Sequence, residues 1–587
     1  MRAITALVWI TIFLLSQLLS AQPTTWRALA DRIPGGLDEH RLRHLEQDWQ
    51  VEAVEPNLLK MTHKLTGMVK YVDITNHTVD FNKLAANPNV QVIDLTNVDT
   101  TLYNWKYRKQ EELLLVIGDL GYPIVIDDLN GNAKLDFSGE YKININSQPA
   151  DAATIEFQND SISTLQKIYT DSTVVPIGTS DMDNDGLNEL NFLLVGGKFV
   201  DNFESSHQDS FPELFTFRYP EISFNTGIFF PLLCNLDDDE FQDAIFVAGD
   251  TSYSCIYAIY ISEYDDSIGV MRGKRKLCPT DWYVSGFSIE DFDQDNFLEF
   301  STGSISGHIN VFENLGNDNY QMTFSDTISA PNAYLNTKTN DINNNGKPEF
   351  FIGGSAFYNG VPASRIYWFE ASGNNTYQKV RSIFLLGTDV LGTTELYAHD
   401  VNGDGIDDLV FSFSFSVVIL IWNNSNQQFD LFYYDFWENF DQEIQSISVY
   451  DLLGNGIPDL FVSVVDIGNP PMDKSFHYRY SEPTGIVFRN KDIYRDFELE
   501  QNFPNPFNGS TIIPFSMNKT ETITLVVYDI TGKEVIKPVK DQLYNPGHYK
   551  ITWDGKDETG KEVSSGIYFI MLKSRRSRQL KKMLFIQ

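Results

Sequence analysis

Between residues 120 and 470, short apolar runs alternate with polar turns in a rhythm that recurs about every 50–60 residues. In each repeat one apolar run leads into an acidic turn, as at 122–126, 174–177 and 230–234. A second run leaves the turn, as at 190–195, 244–248, 350–352, 409–413 and 460–465. Two more follow, as at 256–261, 366–369 and 417–422. Short apolar runs bounded by Gly, Asn and Asp predict strands, and four antiparallel strands per repeat predict a blade. The period is too long for most solenoids, and seven such units close radially without a long exposed edge. The pattern therefore predicts an all-β chain with a seven-bladed β-propeller at 116–495.

The flanks read differently. Residues 1–21 place Arg2 before an apolar run that ends at Ser20-Ala21, the pattern of a secretory signal. No other stretch is apolar enough to cross a bilayer. Within 22–115, a segment of uncertain fold, residues 26–64 have helix-compatible spacing and 67–97 read as strands. That segment could pack on the propeller, supply a closing strand or form an eighth blade. From 497 to 587 the chain opens with Pro504 and Pro506, which forbid a helix. Alternating runs at 512–516, 523–528, 549–553 and 567–572, separated by turns at Gly532, Gly555 and Gly560, predict an Ig-like β-sandwich of about seven strands.

The turns carry the candidate chemistry. Seven copies of a nine-residue pattern, D-x-[DN]-x-[DN]-x-x-x-[DE], recur with variations. Their candidate metal ligands are, in order, Asp128, Asn130, Asn132 and Asp136; Asp181, Asp183, Asp185 and Glu189; Asn235, Asp237, Asp239 and Asp243; Asp291, Asp293, Asp295 and Glu299. The last three copies offer Asp341, Asn343, Asn345 and Glu349; Asp400, Asn402, Asp404 and Asp408; and Asp451, Asn455 and Asp459, with Leu453 replacing one ligand. Oxygens at alternate positions of a tight turn converge on one point, position 7 can add a carbonyl, and position 9 closes the shell. This is hard-cation chemistry, and it predicts several structural Ca²⁺ ions. Gly186, Gly346, Gly405 and Gly456 stand at position 6, where a positive φ is cheap; Asn296, Ala133 and Glu240 stand there in other copies. Charge count ranks the Asp181 and Asp291 turns tightest and the Asp451 turn weakest.

Composition narrows the partners. A formal net charge of −36 repels phosphate and so argues against nucleic acid and anionic membranes. The three cysteines, Cys234, Cys255 and Cys278, are too few for a disulfide scaffold, although one pair could form in an oxidising compartment. The nine histidines form no H-E-x-x-H pair, and no G-x-S-x-G or G-x-x-x-x-G-K motif occurs, so no catalytic residue or organic cofactor is assigned. Stretches 198–219, 355–364 and 466–480 look too long for hairpins; their Phe199, Phe203, Tyr358 and Tyr478 are candidates for an aromatic platform facing a glycan or protein.

The repeats resemble the FG-GAP or VCBS family of integrin-α-like propellers over about 120–470, through the acidic turn, the strand after it, and Gly196-Gly197, Gly249, Gly303 and Gly353-Gly354. That resemblance implies acidic turns on one face of a disc and partner contacts on the other. The C-terminal end resembles the type A sorting domain of type IX secretion cargo. It matches at Asn502 to Asn508, Val527-Tyr528-Asp529, Trp553-Asp554-Gly555, Gly566-Ile567-Tyr568 and Lys581-Lys582-Met583. It implies contact with the secretion machinery and a location outside the cell or on the outer cell surface. Two function classes stay open: a binding or adhesion module for protein or glycan, and a polysaccharide-degrading lyase or glycosidase.

Overall fold

The computed structural model describes most of residues 25–585; the longer stretches outside it are 1–24, 114–123, 142–150, 169–173, 220–227, 237–241, 250–256, 279–283, 467–471 and 482–496, with shorter ones between. The signal-peptide expectation falls outside the described residues. The chain divides into two compact units, residues 1–482 and 483–587. No helix among the described residues is long and apolar enough to cross a membrane.

Among the described residues, the first unit holds seven sheets that follow one antiparallel plan. The first contains Val125–Asp127, Asp136–Tyr141, Asp151–Gln158 and Ser161–Ile168. The fourth contains Val284–Glu290, Glu299–Ser304, His308–Asn314 and Tyr320–Thr327, and the fifth Leu335–Thr339, Glu349–Tyr358, Val361–Gly373 and Thr376–Leu386. Second strands are buried along their whole length in most sheets, as at Glu189–Leu194, Glu299–Ser304 and Asp408–Phe413. Burial on both faces explains why they read as continuous apolar runs instead of alternating ones. From the second sheet to the sixth, each first strand packs on the first strand of the next. The seventh sheet returns to the first: the Phe461 ring lies 5.2 Å from Phe137, and Ser448 Oγ donates to the Ile124 carbonyl at 3.0 Å.

The segment before the repeats is woven into them. Tyr107–Leu113 pairs antiparallel with Met472–Tyr480 and completes the seventh sheet, so the segment supplies a closing strand as well as packing on the sheets. Val90–Asp94 adds in parallel to Thr376–Leu386. Helical spacing held only in part. Helices occupy Trp26–Leu29 and Glu39–Asp48, the latter capped by the Asp38 carboxylate, but Trp49–Glu55, Leu58–His63 and Val69–Asp73 form a three-stranded sheet. Val51, Leu59, Met61 and Val72 bury one side of that sheet, and this packing overrides local propensity. The segment sits at the sheet ends remote from the acidic turns. Buried Arg41 pairs there with Asp389 at 2.7 Å and Glu443 at 2.9 Å, and Lys70 donates to the Gly392 carbonyl at 2.7 Å.

Among the described residues, the second unit has seven strands in two sheets. Phe497–Leu499, Thr511–Met517 and Gly547–Trp553 form one; Glu534–Tyr544, Glu521–Asp529, Gly566–Lys573 and Arg578–Phe585 form the other. Trp553, Phe515, Leu525, Ile570 and Met583 share one core. Gly555 is obligatory there: its φ is +70°, and a Cβ would meet the Phe585 ring at 2.9 Å. Asn502 is buried and donates to Thr511 Oγ1 at 2.9 Å, while Asn505 Oδ1 accepts from Leu584 N at 2.8 Å, so the Asn-Phe-Pro-Asn run ties its start to the last strand.

One expectation is corrected. The aromatic platform does not form: Tyr358 is buried with its ring 4.7 Å from Phe384, Phe203 is buried, and Phe199 and Tyr478 pack partly into cores. Their long stretches are largely strands, such as Val200–Ser205 and Pro212–Tyr219, and strand side chains on an inner face pack down. The cysteines divide: Cys278 is disulfide-bonded, and Cys234 is a free thiol whose ionisation burial suppresses.

Candidate metal centres in the acidic loops

Each acidic turn joins the first and second strands of its sheet, and its closing acid is the first residue of the second strand. Asp136, Glu189, Asp243, Glu299, Glu349, Asp408 and Asp459 all open strands, and all are at most 2% exposed. Backbone geometry explains the spacing. The position-1 carboxylate accepts from the amides of positions 5 and 6: Asp181 from Asp185 and Gly186, each at 3.0 Å; Asp291 from Asp295 at 3.0 Å and Asn296 at 2.9 Å; Asp400 from Asp404 at 3.2 Å and Gly405 at 2.7 Å. The Asp341 and Asp451 turns repeat this pair of bonds, and Asp128 makes the first of them with Asn132. Position 6 must then turn left-handed: φ is +89° at Gly186, +87° at Gly346, +82° at Gly405, +81° at Gly456 and +72° at Asn296. Position 5 in turn accepts from the amide of position 7, as Asp185 does from Leu187, Asn345 from Lys347 and Asp404 from Ile406.

The closing acid turns one oxygen inward to the amide of position 2. Leu129 N donates to Asp136 at 3.0 Å, Met182 to Glu189 at 2.7 Å, Leu236 to Asp243 at 2.8 Å, Phe292 to Glu299 at 2.7 Å, Ile342 to Glu349 at 3.0 Å and Val401 to Asp408 at 3.2 Å. The second oxygens of Asp136, Glu299 and Glu349 are buried without a hydrogen-bond partner. Burial pushes Glu299 up to about 9, Asp408 to about 8, and Asp136 and Glu349 each to about 7. A buried carboxylate with a free lone pair is costly unless a cation meets it.

Sequence reading missed a second set of acids. Directly across the sheet from the closing acid stands another carboxylate in five sheets: Glu156 opposite Asp136, Glu204 opposite Glu189, Glu263 opposite Asp243, Glu313 opposite Glu299 and Glu370 opposite Glu349. Like charges at directly opposed positions destabilise a bare sheet. A weak signal for them was present, since an aromatic precedes the glutamate at Phe203-Glu204, Phe312-Glu313 and Phe369-Glu370. Protein groups offset some of them: Lys134 lies 2.9 Å from Glu156, and Asn343 and Asn345 donate to Glu370 at 2.8 and 2.9 Å. In the sixth sheet the register of Leu409 on Leu420 puts Ile421 across from Asp408. In the seventh, Leu460 on Tyr478 puts Arg479 across from Asp459, with Arg479 Nε and His477 Nε2 each 3.5 Å from its oxygens.

Among the described residues, Asp291, Asp293, Asp295 and Glu299 bring one ligand oxygen each within 4.8 Å of one another. Asp183, Asp237, Asp239, Ala133 and Glu240 lie outside the described residues. A separate trio, His44, Asp48 and Glu443, is also close, but Glu443 is already paired with Arg41. The oxygen-only donor sets of the acidic turns suit Ca²⁺.

Residues 341–411 match the model of an FG-GAP-like repeat, and residues 501–587 match that of a secretion system C-terminal sorting domain. The chain carries both. The sorting domain marks it for type IX export to the cell surface or the extracellular space, and implies interaction with that machinery. No curated protein matches the chain. Among solved structures it is similar to PorZ, a surface component of the type IX secretion system of Porphyromonas gingivalis, at 10% identity and a TM-score of 0.36, covering 92% of this chain and 69% of that one. It is also similar to a fungal alcohol oxidase of the AA5 family at 9% identity and a TM-score of 0.40, covering 82% and 100%. An Agrocybe aegerita lectin that recognises N-acetylglucosamine aligns at 12% identity and a TM-score of 0.38, covering 56% and 92%. At these scores the alignments bear on no functional claim.

Proposed function

We propose that the exported chain is a Ca²⁺-stabilised seven-bladed propeller that serves as a binding or adhesion module at the cell surface, with an Ig-like sorting domain at its C-terminal end. The observation that carries the metal is the set of opposed, buried carboxylate pairs, such as Glu299 and Glu313, both fully buried. Divalent cations neutralise such pairs and pin each first-to-second-strand turn, so their role is structural. The ring reading is supported by first-strand packing between neighbours and by Phe461 returning to Phe137.

The partner is an extracellular protein or glycan. Export places the sheets where such partners are met, and the outer strand Pro212–Tyr219 leaves Leu214 and Phe215 about half exposed, at 50% and 53%. Apolar surface of that kind is covered in a complex. The N-terminal segment occupies part of the face away from the metals, through Arg41, Lys70 and the Tyr71 carbonyl that accepts from Tyr334, so the partner surface lies elsewhere on the ring.

Calorimetric titration of the exported chain with Ca²⁺, paired with thermal melts in Ca²⁺ and in chelator, tests the metal. Several ions bound and a higher Tm in Ca²⁺ are expected; no heat and no shift would sink it. Pull-down from protein and glycan arrays, with Leu214→Asp as the control, tests the binding role. Equal capture by the variant would remove that surface.

A further inference from the structure

The fourth acidic turn is covered from outside its own sheet. The turn between Val361–Gly373 and Thr376–Leu386, in the fifth sheet, reaches across to it. There Asn375 N donates to Asp293 Oδ2 at 2.5 Å, Asn375 Nδ2 to Glu313 Oε2 at 2.9 Å, and Asn374 Nδ2 to Asp295 Oδ2 at 2.5 Å. Asn375 takes a left-handed φ of +56° at this position, a conformation that asparagine tolerates better than most residues.

Five buried atoms at this junction have no hydrogen-bond partner: Asp293 Oδ1, Glu299 Oε1, Glu313 Oε1, Asn375 Oδ1 and the Tyr377 hydroxyl. All five are oxygens. Glu299 and Glu313 are fully buried and stand opposite each other. Water could occupy such a site, but water leaves the charge of the carboxylates uncompensated, and no lysine or arginine forms an ion pair with these carboxylates among the described residues. A hard divalent cation satisfies both requirements, because it takes oxygen ligands and brings positive charge.

We propose that a divalent cation at the fourth turn is held jointly by two sheets, with Glu313 and the Asn375 amide oxygen completing the ligands of Asp291, Asp293, Asp295 and Glu299. The inference rests on the Ca²⁺ reading above and adds to it. The ion fastens the fourth sheet to the fifth and does more than pin its own hairpin. Glu313 lies outside the nine-residue pattern, and Asn375 lies in the next repeat.

The test uses the full chain with Ca²⁺ alone as the probe. Titration calorimetry compares the unaltered chain with Asp291→Asn, Glu313→Gln and Asn375→Ala, and melts in chelator check that each variant folds. Asp291→Asn is expected to lose one ion, and Glu313→Gln to weaken one ion by about 10- to 100-fold. In chelator, Glu313→Gln is expected to melt above the unaltered chain, because the desolvated Glu299 then faces a neutral amide and not a second carboxyl group. A merely structural glutamate would not show that reversal of sign. Asn375→Ala is expected to abolish the Ca²⁺-induced slowing of amide exchange at residues 372–376. If Asp291→Asn loses an ion while Glu313→Gln and Asn375→Ala bind as before, the joint site is overturned and the single-turn reading survives. If the unaltered chain binds no Ca²⁺, both are overturned.

Discussion

In the fourth sheet Glu299 faces Glu313, whereas at the same place in the seventh sheet Asp459 faces Arg479 and lies 3.5 Å from both Arg479 Nε and His477 Nε2. The two turns share one backbone. Asp291 accepts from the amides of Asp295 and Asn296, and Asp451 accepts from those of Asn455 and Gly456 in the same way. The turn can therefore form from its own side chains, and the negative charge that a cation would meet arises separately, from the strand behind it. Where that strand supplies a second carboxylate, the closing acid lacks positive charge. Where it supplies Arg479, positive charge is built in beside Asp459.

The largest effect expected is from chelation. Removing Ca²⁺ should cost about 2.7 kcal/mol per ion at a free concentration a hundredfold above Kd, summed over the occupied turns, read as a fall in Tm. Equal melts with and without chelator would erase the difference between the two turns. Next comes a charge swap. Arg479→Glu together with Leu453→Asp should cost roughly 3 kcal/mol in chelator, since Asp459 loses its partner, and should add one Ca²⁺ in calorimetry. Failure to gain an ion would show that the opposed acid does not recruit the cation.

A pH series separates the turns without mutation. Glu299 at about 9, Asp408 at about 8, and Asp136 and Glu349 at about 7 lie above their ordinary 4.5 and 3.8, so the folded state holds protons that the unfolded chain releases. That contribution to stability is complete below the ordinary values and is lost as pH rises through 7 to 9. In chelator the Tm should accordingly fall from about pH 5 to about pH 9, and saturating Ca²⁺, which competes with those protons, should flatten or reverse the slope. The same slope in both conditions would refute the coupling. The smallest effect is local. Gly346→Ala and Gly456→Ala force alanine to φ near +87° and +81° with open space around the Cβ, so each should cost about 1 kcal/mol of backbone strain. Only Gly346→Ala should also lower Ca²⁺ affinity.

Much of this contrast was invisible along the chain for a definable reason. The nine-residue turns were legible because the bonds from positions 5, 6 and 7 that curl them are made within the turn, down to the left-handed glycine at position 6. That the seventh turn lacks one candidate ligand was legible from Leu453 alone. Glu313 was not, because it meets Glu299 only through the register of two strands. Tyr358 was misread for a related reason: its aromatic character was plain, but its burial against Phe384 follows from a strand longer than the local pattern suggests.

The amino-acid sequence by itself determined the strand rhythm, the acidic turns and the sorting domain, because each is written in neighbouring residues whose propensities and hydrogen bonds act over short range. Tertiary structure alone decided which carboxylates meet, that Tyr107–Leu113 closes the last sheet on Met472–Tyr480, and that Asn375 covers a turn in the sheet before its own. Charge pairing acts over a few ångströms of space, and only the packing of sheet on sheet brings residues so far apart in the chain within that reach.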